Sequence, residues 1–310
     1  TNCDFSAQAL DNANFAKSTL TNASFAAASV RGANFGMANL TGVDFSNSLL
    51  ARASFNGAKL ANATLANVEL TQASFLGASS GGVIGRPLPT DCGDLAFNCP
   101  RFDDVYNGYI IATGVNLQGA DLADIDLSPW SNLQGVDFTD ADLTGANLRG
   151  SGVQSAIFVR TKLNSAILDQ TAAQYANFNG ADLTAANINH FYAQHASFVG
   201  ATIVSISCPD DGPVWTYANL SGANLQNAVL AGTNTGADLV HANLTGTDLS
   251  GAVLTAGDLR HAVLVNTNLN DTNLATASFS SPTNSSGLIS NGGTALPGGW
   301  LISGGVLMFV

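Results

Sequence analysis

His241 and His261 stand four pentapeptides apart, each two residues after a leucine, Leu239 and Leu259. Two imidazoles held at such a spacing could bind a metal ion. The only companions of the right type, Asp238 and Asp258, fall in a neighbouring outward column, so the expectation is a surface ladder. Acids gather at Asp121, Asp124, Asp126, Asp137, Asp140 and Asp142. Acid–base work by a pair such as Asp121 and Asp124 needs a cleft and a raised pKa, which a convex repeat surface does not offer. A solvated acidic face is expected, with calcium, a cation that takes several carboxylate and carbonyl oxygens, as the alternative occupant. Cys92 and Cys99 bracket the stretch CGDLAFNC and are a candidate local disulfide. That bond would imply an oxidising compartment; the alternative is two thiols in a cytosolic loop. Zinc is not expected there, because no second Cys or His pair lies at ligand spacing. No nucleophile–base arrangement or phosphate-binding loop is found. The residues therefore point to no catalytic site, no cofactor and no metal: the chain reads as non-enzymatic.

The elements that would position these residues follow from one periodicity. From Phe5 to Phe75 every fifth residue is large and apolar, and the residue two before it is small in all but one case, Gln8. A second tract starts at Leu117, gains one residue near Pro129 and Trp130, and runs to Ile203. In it Phe138, Phe158, Phe178 and Phe198 recur at every fourth pentapeptide. A third tract runs from Leu220 to Thr235, loses one residue, and continues from Leu239 to Phe279. A period of five fits neither the helical period of about 3.6 nor the strand period of about 2. It fits a solenoid with sides five residues long, and the recurrence of Phe at every fourth pentapeptide says that four sides close one coil. The large residue and the small residue two before it point inward, the residue between them points out, and Asn, Asp, Ser, Thr and Gly suit the corners. The 46 centres predict between 11 and 12 coils. Ala173 and Ala193 sit where large residues belong, and Phe191 is expected to fill the gap at Ala193 by exchanging large for small. Cys3 and Cys208 fall at inward phases of distant coils, too far apart for a bond within one chain.

The stretches ANFAK, ANLTG, ADLTG, ANLRG and ANLQN resemble the pentapeptide-repeat family, whose consensus is A(D/N)LXX. The resemblance covers about three-quarters of the chain. It implies an all-β fold, the right-handed quadrilateral β-helix of that family, with four pentapeptides per coil. It also implies one function to weigh: some members resemble duplex DNA in width and charge and protect DNA gyrase from inhibitors. Those members are usually shorter and dimerise through a C-terminal element.

The expected organisation is a first repeat tract at 1–75, a non-repeat insert at 76–114, second and third tracts at 115–279 with a short break at 208–217, and a Gly-rich apolar tail at 280–310. Insert and tail resemble each other: Ser79-Ser80-Gly81 through Leu88-Pro89 reads like Ser285-Ser286-Gly287 through Leu296-Pro297, and YNGYII like GWLISGGVL. The insert returns to repeats at Val115-Asn116-Leu117, whereas the tail ends in the apolar run Val306–Val310. A solenoid end leaves backbone groups unpaired. The raw repeat at the start and the apolar tail therefore predict head-to-tail self-association, a heterologous contact that gives rings or filaments. The residues expected to carry it are Thr1, Cys3, Phe5, Trp300, Leu301, Val306, Leu307, Met308, Phe309 and Val310. The alternative is that the tail folds back as a cap. Starting at Thr1 rather than Met is expected of a processed or trimmed chain.

Composition narrows the partners. Only 10% of residues are charged, with 22 acids against 10 bases and a net charge of −12. Nucleic-acid binding, which needs a basic face, is not expected. No apolar run reaches the roughly 18 residues of a membrane span, and no signal-peptide pattern opens the chain. The reading is a structural or interaction protein, extracellular or at the cell surface, with itself as partner; the alternative is an acidic DNA mimic that binds gyrase.

Overall fold

The computed structural model describes residues 2–84, 105–106, 109–128, 132–206, 208, 212–215, 218–220, 222–226, 228, 230, 236–280 and 284–310. Thr1, Cys92 and Cys99 lie outside them. The described residues contain no helix. They are built from one unit repeated, and Phe25 to Phe45 shows its logic. The Ala28 N–H donates to the Phe25 carbonyl at 2.9 Å, closing a turn. Its third residue, Ala27, has φ 58°, the positive value that a type II turn requires there. Asn and Gly tolerate that conformation best, which is why they lead at the position two after each centre in the first tract. Beyond the corner the chain is extended only briefly. Ser24 pairs in parallel with Asp44, and Asp44 with Thr64, while the Phe25 N–H donates to the Asp44 carbonyl at 2.7 Å.

That register, four pentapeptides from one bridge partner to the next, means four five-residue sides per coil. The sides are not strands in the ordinary sense. Most contribute a single bridging residue, because corner residues occupy the rest of the five. The longer elements are β1 (Val105–Tyr106) and β2 (Tyr109–Ile110) in the insert, β3 (Val263–Val265) in the third tract, and β4 (Asn284–Ser286), β5 (Trp300–Ser303) and β6 (Val306–Phe309) in the tail. β1–β2 and β5–β6 are antiparallel pairs, and β3–β4 is parallel.

The chain divides into two compact units, Thr1–Asp121 with Ser131–Phe138, and Leu122–Trp130 with Thr139–Val310. In unit 1 two columns of phenylalanines share the interior with the buried Leu and Val centres of the other sides, such as Val30, Leu40, Leu50 and Leu60. Phe5, Phe25 and Phe45 stack at 4.8 and 5.2 Å, and Phe15, Phe35, Phe55 and Phe75 stack at 5.1, 5.2 and 4.9 Å. The two columns meet edge to face, as at Phe25–Phe35, 5.5 Å and 90°. Both geometries suit the ring quadrupole. In unit 2 Phe158, Phe178 and Phe198 stack at 4.6 and 4.9 Å.

Register shifts locate the interruptions. The one-residue gain near Pro129 and Trp130 is present: Asn116 pairs with Asp137 in unit 1, and Asp126 with Asn147 in unit 2, each one position beyond the regular register. The ladder runs on past Phe75, since Lys59 pairs with Ser79 and Thr64 with Ile84. Ser79 then pairs with Asn116. Within the expected break at 208–217, residues 208 and 212–215 are described. Cys208 and Trp215 are both fully buried centres, and Tyr192 pairs with Val214, only two positions beyond the regular register. The expected loss of one residue after Thr235 is corrected to a gain of four. Val214 pairs with Asp238, four positions beyond the regular register, and the Ala237 N–H closes a corner on the Leu230 carbonyl at 3.1 Å. Thr235 itself lies outside the described residues.

The tail first adds a coil. Val263, Leu264 and Val265 pair with Asn284, Ser285 and Ser286, then Asn268 with Ile289 and Asn273 with Ala295. It then turns back as the β5–β6 hairpin. The Leu288 N–H donates to the Gly305 carbonyl at 3.0 Å, and Trp300 packs on Phe279 at 5.2 Å.

Candidate interaction surface

The outward residue between small and large positions is often Asn or Asp, and the structure gives the reason. Its side chain accepts from the backbone two residues on: Asn14 from the Ala16 N–H at 3.1 Å, Asp44 from Ser46 at 2.8 Å, Asp142 from Thr144 at 3.1 Å and Asp248 from Ser250 at 3.0 Å. These are Asx turns that hold each corner. Asp44, Asp142 and Asp248 are thus each engaged by the backbone of their own corner.

The six clustered acids divide between the units, with Asp121 and Asp137 in unit 1 and the other four in unit 2. Asp137 accepts from Gln118 Nε2 at 2.5 Å. Asp126 accepts from the Ser128 hydroxyl and backbone and from Asn147 Nδ2, and the Ser128 contacts hold its carboxyl below the usual range. Asp140 is clasped by Arg160, with Nε and Nη2 each at 2.7 Å, which lowers its pKa. Asp142 accepts from Lys162 Nζ at 2.9 Å; that bond, followed by the one from the Thr144 hydroxyl, brings its pKa to about 2. None of these depressed carboxyls is suited to acid catalysis at neutral pH. Among the described residues no three His, Cys, Asp or Glu converge as a metal site.

His241 and His261 stack at 4.8 Å, 12° apart in plane, as the ladder reading expects. His195 stacks on Tyr175 at 4.9 Å. His190 lies 3.5 Å from the Asp169 carboxylate, which also meets Arg149 Nε at 3.0 Å; the sequence pattern did not single out this trio. Cys208 is buried inside unit 2, and burial pushes its thiol pKa up to about 12. Cys3 is exposed.

The residues expected to mediate self-association are placed as follows. Phe5 is half-buried, packing on Phe15 and Phe25. Trp300, Leu301 and Val306 are half-buried in the hairpin, and Leu307 is buried. Met308, Phe309 and Val310 are exposed. The sequence reading named Ser80 and Ser285 in the kinship of insert and tail but not the hydrogen bonds they make. Ser80 accepts from the Ile110 N–H at 3.0 Å, and Ser285 from the Leu307 N–H at 3.0 Å. Ser80 lies five residues after Phe75, so extending the count would have placed it at an inward centre.

Among the described residues no helix is long and apolar enough to cross a membrane. No curated protein matches the chain. Among solved structures, HetL is a pentapeptide repeat protein involved in heterocyst differentiation regulation, from the cyanobacterium Nostoc sp. strain PCC 7120. It is 23% identical over 86% of this chain and 86% of that chain, with a TM-score of 0.28. Full-length QnrB1, a plasmid-mediated fluoroquinolone resistance protein, is 19% identical over 58% of this chain and 86% of that chain, with a TM-score of 0.30. A pentapeptide repeat protein of the Arabidopsis thaliana thylakoid lumen is 19% identical over 52% and 71%, with a TM-score of 0.20. A pentapeptide repeat region is matched at residues 1–75. Pentapeptide repeats, in blocks of 8 copies, are matched at 113–151, 131–170, 216–255 and 235–271. With that repeat matched over well more than half of its residues and setting the register of its bridges, the chain belongs to the pentapeptide repeat family.

Proposed function

We propose that the protein is a non-enzymatic interaction scaffold of right-handed quadrilateral coils, about 11–12 in number, whose first partner is another copy of itself, head to tail. The observation that carries this reading is the apolar run Met308-Phe309-Val310, exposed at the hairpin of the last coil. Phe5, Leu10 and Phe15 of the first coil are only partly buried, in contrast to Phe25 and Phe35 above them. Bringing the two surfaces together would bury apolar area. Such a contact is heterologous and gives rings or filaments. An extracellular or cell-surface location belongs to this reading if Cys92 and Cys99 pair. Electron microscopy of the chain under non-reducing conditions, with and without Phe309→Asp, tests it. Stacked particles that vanish in the variant support it; single particles in both contradict it.

A second reading, an acidic mimic of duplex DNA that binds gyrase, is favoured by the net charge of −12. Against it, several acids are engaged at corners and with Arg160, Lys162 and Arg260. A gyrase supercoiling assay with added protein separates the two: protection from inhibitors would favour the mimic.

A further inference from the structure

The insert of unit 1 and the tail of unit 2 hold the same device. In each, a serine occupies an inward centre: Ser80 lies five after Phe75, and Ser285 pairs with Leu264. Each serine hydroxyl accepts from the second strand of a hairpin, from Ile110 in one and Leu307 in the other, both at 3.0 Å. Ile110 and Leu307 are both buried. The hairpins share a register. Tyr106 pairs with Tyr109 and Val105 with Ile110; Ser303 pairs with Val306 and Ile302 with Leu307. Each therefore joins its strands through two residues. The corners match as well. Gly82 and Gly287 have φ of 64° and 59°, and a Cβ on either would collide with an asparagine of the coil below, Asn62 or Asn266. Next come a buried aliphatic, Val83 or Leu288, and an exposed isoleucine, Ile84 or Ile289.

The two copies differ in what stands beyond the hairpin. After Ile110 the chain stacks a new coil: Ile111 and Ala112 are 5% and 8% exposed, the Thr113 hydroxyl donates to the Asn132 carbonyl at 2.8 Å, and Asn116 pairs with Ser79. At the matching positions Met308 and Phe309 are 43% and 62% exposed.

We propose that the serine-seated hairpin is a coil-restart seat, and that the copy at β5–β6 accepts a pentapeptide-repeat coil in the register that residues 111–117 take on the internal copy. Met308 and Phe309 then take the places of Ile111 and Ala112, and the docked coil sets its Asn116 equivalent over Asn284. The occupant follows from what covers the same seat in unit 1: small–polar–large triplets with open N–H and C=O groups, not a helix or a charged partner. This inference concerns the seat and stands apart from whether copies associate.

The test is the full chain carrying a second copy of residues 114–151 directly after Val310, followed by hydrogen exchange and mass spectrometry at a concentration where the unmodified chain sediments as one species. The expected result is slowing by at least about tenfold in Met308–Val310 and in the appended segment. Exchange of the appended segment at the rate of unstructured chain, with the rest of unit 2 still protected, would overturn the proposal. The same fusion with Ser285→Ala and Leu307→Asp should release the appended segment while the Phe158–Phe198 coils stay protected; undiminished protection there would also overturn it. If that variant fails to fold, the first fusion decides alone. Self-association is read separately, from the unmodified chain, so its failure leaves this result interpretable.

Discussion

Phe191 and Ala193 exchange sizes on one side of unit 2. The centre at Ala193 is small, and Phe191, two residues earlier, is fully buried against Phe178 and Phe198 with ring centroids at 5.7 and 6.3 Å. One coil on, the fully buried Trp215 follows Ala193 in the ladder, where the Ala193 N–H donates to the Val214 carbonyl at 2.9 Å. Phe191→Ala should cost about 3–5 kcal/mol, the range for truncating a buried phenylalanine. Ala193→Leu should cost about 1–3 kcal/mol through overpacking. The double variant restores the family's small–large order and should be more stable than the sum of the two losses. Urea denaturation of all four proteins checks this; strict additivity would mean the two positions do not share one space.

Asp142 gives a pH dependence of known sign. Its pKa falls from 3.8 to about 2, chiefly through Lys162. Its contribution is therefore present above pH 3.8 and is lost as pH falls through about 2. Thermal melts between pH 5 and 2 should show a steeper loss of Tm in the natural protein than in Asp142→Asn. Parallel profiles would show that the pair contributes nothing to folding.

The Cys208 thiol has the opposite sign. Its pKa rises from 9.0 to about 12, so the unfolded chain ionises first, and stability is lost as pH climbs from 9.0 towards about 12. At neutral pH, iodoacetamide should modify the exposed Cys3 and leave Cys208 unmodified until denaturant is added. Labelling of Cys208 in the native protein would place it outside the core.

Two glycines separate crowding from conformation. Gly119 has φ 65° and open space around an added Cβ, whereas at Gly236 a Cβ would collide with the backbone of Ala256 and Gly257. Gly119→Ala should cost about 1 kcal/mol, the penalty for a left-handed alanine. Gly236→Ala should cost more, because two backbones must part. Equal losses would contradict the close approach at the enlarged corner.

The coil was legible because its signal is local and repeated. Fifteen consecutive centres from Phe5 to Phe75 leave one period and one register. The one-residue gain at Pro129 and Trp130 was legible for the same reason. The four-residue gain before Leu239 was not: in the stretch Ala231–Gly236 small and polar residues read equally as a side or as an enlarged corner. Trp215 was hidden by Pro209, Gly212 and Pro213, although counting back five from Leu220 lands on it. The kinship of insert and tail could be read in Ser79-Ser80-Gly81 and Ser285-Ser286-Gly287. The structure shifts that alignment by one residue, matching Ser80 to Ser285, because these are the serines that accept from the hairpins, across 30 residues in one copy and 22 in the other. Contacts of that range leave no periodic trace.

Sedimentation velocity of the unmodified chain across a hundredfold concentration range, beside Met308→Asp and Phe309→Asp, tests the proposed self-association most directly. The account predicts a weight-average coefficient that rises with concentration in the natural protein and stays flat in both variants. A single species throughout, in all three proteins, would contradict it.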